Sequence, residues 1–210
     1  MMNDAEELLR ASLLKLPSGL AEHVIRVVEQ AQRLAGIHGI DRQQITMAAL
    51  GHDLLRAHSD ERLLRIAQEQ AYVLDPADAA EPILLHGPLA VAILQEQYGI
   101  HDADVLGAVA WHTTANENMT PLQKALFLAD KIEPHKLERA PEVMAGIADL
   151  AEHDLAAATL AYLDHHIRFA LDHGWPLHSH TTAARNQLLF ARRATELERS
   201  SDVERAQERD

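Results

Sequence analysis

Histidine and aspartate residues recur along this chain at positions where helices would otherwise bury apolar side chains. His52 and Asp53 are adjacent within the apolar run M-A-A-L-G-H-D-L-L-R at positions 47–56. An ionised carboxylate is costly to bury unless another group pairs with it. Other predicted helices carry similar residues toward the core: His23, His86, His112 and Asp130. Polar groups from five helices need a common partner, and a metal centre supplies one.

Four histidines and two carboxylates exceed the four ligands of one tetrahedral ion. They suit two ions of higher coordination number that share a bridging carboxylate. Taken alone, His23 or His112 is more often a hydrogen-bonded helix residue, and His52–Asp53 a local hydrogen-bonded pair. The joint occurrence of all six residues favours metal ligation.

Helices must position these side chains. The first is predicted over about 19–35, with Ser18 as its N-cap and Gly36 near its end. Its buried face has residues spaced three and four apart: Leu20, Val24, Val27, Ala31 and Leu34. His23 points with that face. A second helix, starting at Asp41, carries His52 and Asp53 on one side.

The central part of the chain predicts a short helix at 57–64 and another that runs from His86 to about Tyr98. A helix that begins at Asp102 presents His112 on its apolar face. The capping box T-P-L-Q at 120–123 starts a helix that carries Asp130 and stops at Pro134.

The remaining sequence predicts two or three helices from Pro141 onward, including 152–173 and 178–199. With no alternating strand pattern and no convincing linker, the fold class is all-α and residues 1–199 form one domain. The segment 200–210 is charged, has almost no apolar content and is predicted to be a disordered tail.

Composition excludes several functions. The net charge of −13 opposes binding to a nucleic-acid polymer. The absence of cysteine removes thiolate nucleophiles and thiolate metal sites. No apolar run is long enough to span a bilayer, and the acidic start lacks a signal-peptide pattern. We therefore expect a cytoplasmic protein without a membrane partner. The oligomeric state stays open, and a homodimer is one arrangement.

The order His, His-Asp, His, His, Asp resembles the HD-domain phosphohydrolases, which are helical bundles. Four flanking segments resemble the YqeK-type branch of that family: L-L-H-G-P-L-A at 84–90, V-A-W-H-T-T at 109–114, F-L-A-D-K-I-E-P at 127–134 and P-L-H-S-H-T-T-A-A-R-N at 176–186. The resemblance covers roughly residues 15–190. It implies a dinuclear site in the core of the bundle and extra C-terminal helices.

The resemblance also implies ligand roles and an activity. His23, His52 and Asp130 would hold the first ion, His86 and His112 the second, and Asp53 would bridge. Proteins of this branch are symmetrical bis(5'-nucleosyl)-tetraphosphatases that cleave diadenosine tetraphosphate into two ADP at a di-iron centre. The implied catalytic residues are His52, Asp53 and Asp130. Two divalent transition-metal ions, iron or alternatively manganese or another ion, would activate a hydroxide nucleophile.

Five residues are candidate contacts to a nucleotide substrate: Arg56, Thr113, Thr114, Lys136 and His178. Arg56 lies one helical turn beyond Asp53, and Lys136 stands where the family has an arginine. Arg56 can equally be a solvated helix end, and the threonines can equally cap a helix by bonding to the backbone.

One stretch departs from the family. Basic residues commonly precede its first histidine, whereas this chain has Gly19 and Leu20 in those places. The departure keeps two alternatives open: a phosphohydrolase of another nucleotide, and a module that senses nucleotide or metal without turnover. Most members of a second histidine group are expected to be exposed: His165, His166, His173, His178 and His180.

Overall fold

The computed structural model describes the backbone of residues 2–138 and 141–207 and the side chains of residues 4–138 and 142–198. Every regular element in these ranges is helical, which confirms the all-α prediction. The elements are α1 Met2–Leu13, α2 Ser18–His38, α3 Arg42–Gly51, α4 Asp60–Glu69, α5 Pro76–Ala80, a 3₁₀ helix Pro82–Leu85, α6 His86–Tyr98, α7 Ala103–Trp111, α8 Pro121–Lys131, α9 Pro134–Leu137, α10 Pro141–His153, α11 Leu155–His173 and α12 Ser179–Gln207. None of the described helices is both long and apolar enough to cross a membrane.

Several helix ends follow their sequence signals. Asp102 caps α7 by accepting hydrogen bonds from the backbone N–H groups of Asp104 and Val105. Thr120 and Gln123 form the predicted capping box of α8. These caps fix where α7 and α8 begin, and hence which way His112 and Asp130 point at the other ends of the two helices.

Other boundaries differ from the predictions. Helix α1 was not predicted. Helix α2 begins after Pro17 with Ser18 inside it, and it continues to His38 because Gly39, at φ 65°, supplies the left-handed residue that ends it. Gly36 keeps helical geometry. The helix predicted at 57–64 lies at Asp60–Glu69, because Ser59 provides its N-cap.

His52 and Asp53 lie at the end of α3 rather than in the middle of a helix. Helix α3 ends at Gly51, and the chain continues in turns in which the N–H of Leu54 donates to Gly51 and that of Arg56 to Asp53. The change from helix to turns leaves both side chains buried, at one end of the bundle.

The core of the bundle is built around α8, which packs against α2, α7 and α11. Its residues 125–130 are all buried, so the helix carries Asp130 into the interior together with its apolar neighbours. Helix α3 is likewise buried along most of its length, between α1, α2 and α7. The chain thus brings the ends of several helices together at one place.

Helix α12 packs against α11 and, as described, continues to Gln207. Residues 208–210 and all side chains from 199 onward lie outside the described part of the chain. The division into a domain over 1–199 and a disordered tail over 200–210 therefore stays a prediction.

Candidate metal centre

Six predicted metal ligands converge where α2, α3, α6, α7 and α8 meet. They are His23 of α2, His52 and Asp53 after α3, His86 at the start of α6, His112 after α7 and Asp130 of α8. All are buried except His23, which is half-buried. The structure therefore brings together side chains that are spread over more than one hundred residues of sequence.

The carboxylate of Asp53 lies between two groups of histidines. Its Oδ1 is 3.0 Å from Nε2 of His86 and 3.6 Å from Nε2 of His112. Its Oδ2 is 3.5 Å from Nε2 of His52 and 3.7 Å from Nε2 of His23. Because one oxygen faces each group, Asp53 has the geometry of a bridging ligand.

Asp130 completes one side of the cluster. Its Oδ1 lies 3.1 Å from Nε2 of His23. The ligand atoms of His23, His52 and Asp130 all lie within 4.8 Å of one another, as do those of His52, Asp53 and His112. Such separations suit coordination of an ion. His52 belongs to both sets, and because its Nε2 has one lone pair it can serve only one ion.

Three of the histidines are oriented by main-chain carbonyl groups. In each, Nδ1 lies close to the carbonyl oxygen of the residue three positions earlier: 2.6 Å for His52 to Ala49, 2.5 Å for His86 to Ile83 and 2.7 Å for His112 to Val109. A carbonyl oxygen only accepts, so Nδ1 carries the proton and donates it. Nε2 of each ring is therefore left with a lone pair that faces the cluster.

These lone pairs fit a bound cation. Nε2 of His86 and Nε2 of His112 are 2.9 Å apart, and two lone pairs at that distance repel unless a proton or cation lies between them. Nε2 of His52 is buried without a hydrogen-bond partner among the described residues. Burial lowers the pKa of His52 and brings that of His112 to about 4, so both rings are neutral near pH 7. Neutral imidazoles are the form that binds metal.

Both carboxylates are ionised. Burial alone would raise the pKa of Asp53, but its close contacts with His52, His112 and His86 hold it well below its usual range. Burial likewise opposes the ionisation of Asp130, but Lys131 and Lys136 keep its pKa well below the ordinary value. Two anionic carboxylates and neutral imidazoles form a donor set suited to divalent ions.

Glu133 orients the fourth histidine, and the sequence reasoning missed it. Its Oε1 lies 3.4 Å from Nδ1 of His23, while its Oε2 accepts a 2.7 Å hydrogen bond from Nε of Arg26. Glu133 is almost fully buried. The available signal was its position three residues after Asp130, about one helical turn away.

Gly87 was also missed. A Cβ atom at this position would lie 2.8 Å from the carbonyl oxygen of Val109 and 3.0 Å from that of Ala110. Only glycine allows α6 to approach α7 this closely, and the approach brings His86 against His112. Its place directly after a candidate ligand was the one signal for this role.

A cavity of about 460 Å³, which we call the metal cavity, opens over the cluster. Three basic side chains line it: Arg56, Lys131 and Lys136. Arg56 and Lys136 were predicted to contact substrate, whereas Lys131 was not. Nζ of Lys131 lies 2.7 Å from Oδ2 of Asp130, and Nζ of Lys136 lies 2.6 Å from Oδ1. The cavity therefore combines candidate metal ligands with cationic side chains, a type of group suited to phosphate.

The other three predicted substrate contacts lie toward a second cavity. Thr113 lines both cavities, with its Oγ1 3.2 Å from Nε2 of His112. Thr114 and His178 line only the second, of about 300 Å³. The hydroxyl of Thr114 donates to the carbonyl of Ala115, and Nε2 of His178 lies 3.5 Å from a carboxylate oxygen of Asp78.

The sequence matches a family model described as "HD domain" over residues 20–135. That range includes all six converging residues. This chain belongs to the HD domain family. Membership implies binding of divalent metal ions, which agrees with the donor set at the centre of this HD domain.

Three similar proteins indicate which members of the family this chain resembles. The chain is 35% identical to the symmetrical bis(5'-nucleosyl)-tetraphosphatase of Halalkalibacterium halodurans, across 80% of this chain and 88% of that protein. It is 31% identical to the protein of the same name in Bacillus subtilis, with the same two coverages. A crystal structure of a "predicted HD superfamily hydrolase involved in NAD metabolism" from Clostridium acetobutylicum is also similar. Its TM-score is 0.82 at 33% identity, covering 88% of this chain and 97% of that one.

The C-terminal histidines of this HD domain are less exposed than predicted. His173 is exposed, whereas His178 is buried and three are half-buried: His165, His166 and His180. The prediction was wrong because α11 and the segment before α12 fold against the side of the bundle that carries the metal cavity. His165 and His166 line a third cavity there.

Proposed function

We propose that this HD domain protein hydrolyses dinucleoside tetraphosphates symmetrically, with diadenosine tetraphosphate giving two ADP, at a centre of two divalent metal ions. One observation carries the proposal: Asp53 presents one oxygen to each of two groups of histidines, below a cavity lined by three basic side chains. The curated relatives named as symmetrical tetraphosphatases supply the reaction.

We assign the ions to two sides of the cluster. His23, His52 and Asp130 would hold the first ion, His86 and His112 the second, and Asp53 would bridge them. When bound, divalent ions at such a site lower the pKa of a water molecule and neutralise charge on phosphoryl oxygens. We propose iron as the metal, with manganese as the alternative, because nitrogen and carboxylate donors accept both.

The basic residues of the metal cavity would hold the tetraphosphate. Arg56 can bind two phosphoryl oxygens at once, whereas Lys131 and Lys136 act as compact charges fixed beside Asp130. A local group of cations can overcome the repulsion that a net charge of −13 imposes on an anionic substrate. These three side chains would thus orient the tetraphosphate in the metal cavity and neutralise part of its charge.

Leu20, one of the two residues that depart from the family pattern, lines the metal cavity beside Pro17. This part of the cavity is therefore apolar where the family that the sequence resembles commonly has basic residues. The charges come instead from Arg56, Lys131 and Lys136. This distribution favours a phosphohydrolase over a module that has lost its contacts to phosphate.

The second cavity would receive a nucleoside. It adjoins the metal cavity, with which it shares Ile83 and Thr113, and it is also lined by His178 and Trp175. A base can stack on these rings while its diphosphate reaches the metal cavity. Thr114 and His178 would shape this end of the site.

The same composition supports the remaining proposals. An acidic chain favours a small nucleotide over a nucleic-acid polymer as its partner. We propose a cytoplasmic location without a membrane partner. The oligomeric state, for which a homodimer is one arrangement, is to be measured.

Product identification tests the proposal. Protein prepared without oxygen and loaded with iron or manganese should convert diadenosine tetraphosphate into ADP alone, as followed by anion-exchange chromatography. Formation of ATP and AMP would contradict symmetrical cleavage. Preferred turnover of another nucleotide would favour the alternative phosphohydrolase, and turnover of none would favour a sensor. His52→Ala should abolish ADP release, whereas the exposed control His101→Ala should retain it.

A further inference from the structure

A third cavity, of about 280 Å³, opens beside the metal cavity and has aromatic walls. Tyr162, Phe169 and Trp175 line it, together with Lys131 and Lys136. We call it the aromatic cavity. Tyr162 and Phe169 belong neither to the candidate metal centre nor to the second cavity, whereas Trp175 lines the second cavity as well.

The aromatic cavity adjoins the metal cavity. Lys131 and Lys136 line both it and the metal cavity, and both lysines contact Asp130. The second cavity adjoins the metal cavity elsewhere, where both are lined by Ile83 and Thr113. The metal cavity therefore has a neighbouring side cavity at each of two places.

The two side cavities share a wall. Trp175 lines both, and so does His166. Trp175 is 53% exposed and Phe169 is 40% exposed, so each ring has surface that the protein leaves uncovered. Their ring centroids are 5.4 Å apart at an angle of 75°, which fixes the two rings against each other edge to face.

Rings held in this way suit a nucleobase. Every base has a π-face that stacks on an aromatic side chain, whichever base it is. Lys131 and Lys136, which line both this cavity and the metal cavity, can hold the phosphates that follow the nucleoside. Aromatic walls together with two lysines match a nucleoside that carries a phosphate chain better than they match an uncharged ligand.

We propose that the aromatic cavity receives the second nucleoside of a dinucleoside tetraphosphate. The inference rests on the proposed function. The first nucleoside lies in the second cavity, the tetraphosphate crosses the metal cavity, and the two nucleosides lie on either side of Trp175.

This arrangement explains why cleavage falls in the middle of the substrate. Lys131 and Lys136 adjoin Asp130 on one side of the cluster, whereas Thr113 adjoins His112 on the other. Each nucleoside diphosphate half then lies beside one side of the cluster, and the central bond lies near Asp53. Each product ADP retains its own nucleoside cavity, so one chain should bind two ADP.

The test uses the full-length, metal-loaded protein and the substitution Phe169→Ala. Equilibrium dialysis with ADP should give two ADP per wild-type chain and one per variant chain at concentrations that saturate the second cavity. The KM for diadenosine tetraphosphate should rise about tenfold, which corresponds to the loss of one stacking contact. Phe169→Leu, which keeps apolar volume without the ring, should resemble Phe169→Ala.

Phe190→Ala is the matched control, because Phe190 is 63% exposed on α12 and lines none of the three cavities. It should bind two ADP with an unchanged KM. One ADP per wild-type chain, or two per Phe169→Ala chain with an unchanged KM, would overturn the inference. So would a change of oligomeric state in Phe169→Ala without any change in ADP binding, since the rings would then be a contact between copies.

The outcome is separate from that of the proposed function. A wild-type protein that releases no ADP from diadenosine tetraphosphate contradicts the proposed function, whatever its ADP count. If the wild-type protein releases only ADP but binds one ADP per chain, the proposed function stands and the assignment of the aromatic cavity to the second nucleoside is wrong.

Discussion

Nδ1 of His23 lies 3.4 Å from Oε1 of Glu133, and this is the one candidate histidine ligand whose orientation depends on another side chain. The other three histidines donate Nδ1–H to a carbonyl group of their own chain segment. A local carbonyl is fixed by the backbone, whereas Glu133 is itself held by Arg26. A substitution outside the ligand set can therefore weaken binding of the first ion, to which we assign His23.

Glu133→Ala should weaken metal binding by roughly 10- to 100-fold, because His23 loses the partner that fixes its tautomer. Titration of the metal-free protein with manganese would measure this. Glu133→Gln should lose less, since its amide oxygen can still accept one hydrogen bond. The matched control is Glu152→Ala, which removes an exposed partner of Arg33 outside the cluster. Equal affinities in wild type and Glu133→Ala would refute the orienting role.

His86→Ala should leave one ion per chain. His86 contacts Asp53 and His112, so its removal opens only the second-ion side and leaves His23, His52 and Asp130 in place. Elemental analysis of the purified variant gives the count. Two ions, or none, would be inconsistent with the assignment of ligands to two sides.

Gly87→Ala should remove the second ion although it replaces none of the candidate ligands, since the added Cβ would also lie 3.2 Å from Cε1 of His112. The added Cβ would lie 2.8 Å from the carbonyl of Val109, which forces α6 away from α7 and lowers the free energy of unfolding by about 1–3 kcal/mol. Gly36→Ala is the control, because nothing lies within 4 Å of its Cβ position and alanine favours a helix by about 1 kcal/mol. Metal counts and urea denaturation of both variants measure the difference. A full second-ion site in Gly87→Ala would contradict the close-approach argument.

Arg56→Ala should raise the KM for diadenosine tetraphosphate about tenfold or more, as expected for a lost charge-assisted hydrogen bond to phosphate. Its metal content should stay unchanged, since Arg56 lines the cavity without being a ligand. Steady-state kinetics on the metal-loaded protein measure the effect. Arg65→Ala, an exposed arginine on α4, is the control for a general change of charge. An equal rise in KM in both variants would show that Arg56 does not bind the phosphates of the substrate.

The cap of α7 predicts a pH dependence of stability. Hydrogen bonds from the backbone N–H of Val105 hold the pKa of Asp102 below its ordinary value, against a smaller opposing effect of burial. The ionised carboxylate therefore stabilises the fold above the unfolded pKa of about 3.9, and this contribution is lost as pH falls through the lowered folded value.

Asp102→Ala should cost about 1 kcal/mol at pH 7, whereas Asp102→Asn should retain most of the cap. The gap in stability between wild type and Asp102→Asn should be constant from pH 7 to about pH 5 and change below about pH 4. Urea denaturation at several pH values measures it. A difference in stability between wild type and Asp102→Asn that changed between pH 7 and pH 5 would contradict ionisation of Asp102 as its cause.

Much of the site could be predicted because its signals are local. Asp102 and Thr120 are N-caps that can be recognised from four consecutive residues. They fix the starting points of the helices that lead to His112 and Asp130. The polar residues on apolar helix faces then indicated a common centre. The HD domain family and the all-α fold followed from the same residues, and both are confirmed.

The remaining features depend on contacts between distant segments. Glu133 is buried because Arg26 of α2 reaches it, and nothing near either residue in the sequence indicates that pair. Gly87 matters only because α6 crosses α7 at that point. The aromatic cavity needs α11 to fold beside α8, which brings Tyr162 and Phe169 toward Lys131. Periodicity identifies a buried face, but it does not say which other face covers it.

The central claim is that the six residues form one dinuclear centre bridged by Asp53. The most direct measurement is elemental analysis of protein prepared without oxygen, for wild type and Asp53→Ala side by side. We predict up to two transition-metal ions per wild-type chain, approaching two after loading, and a loss of most of both in the variant. A wild-type chain that never holds more than one ion, or an Asp53→Ala chain that still holds two, would contradict the account.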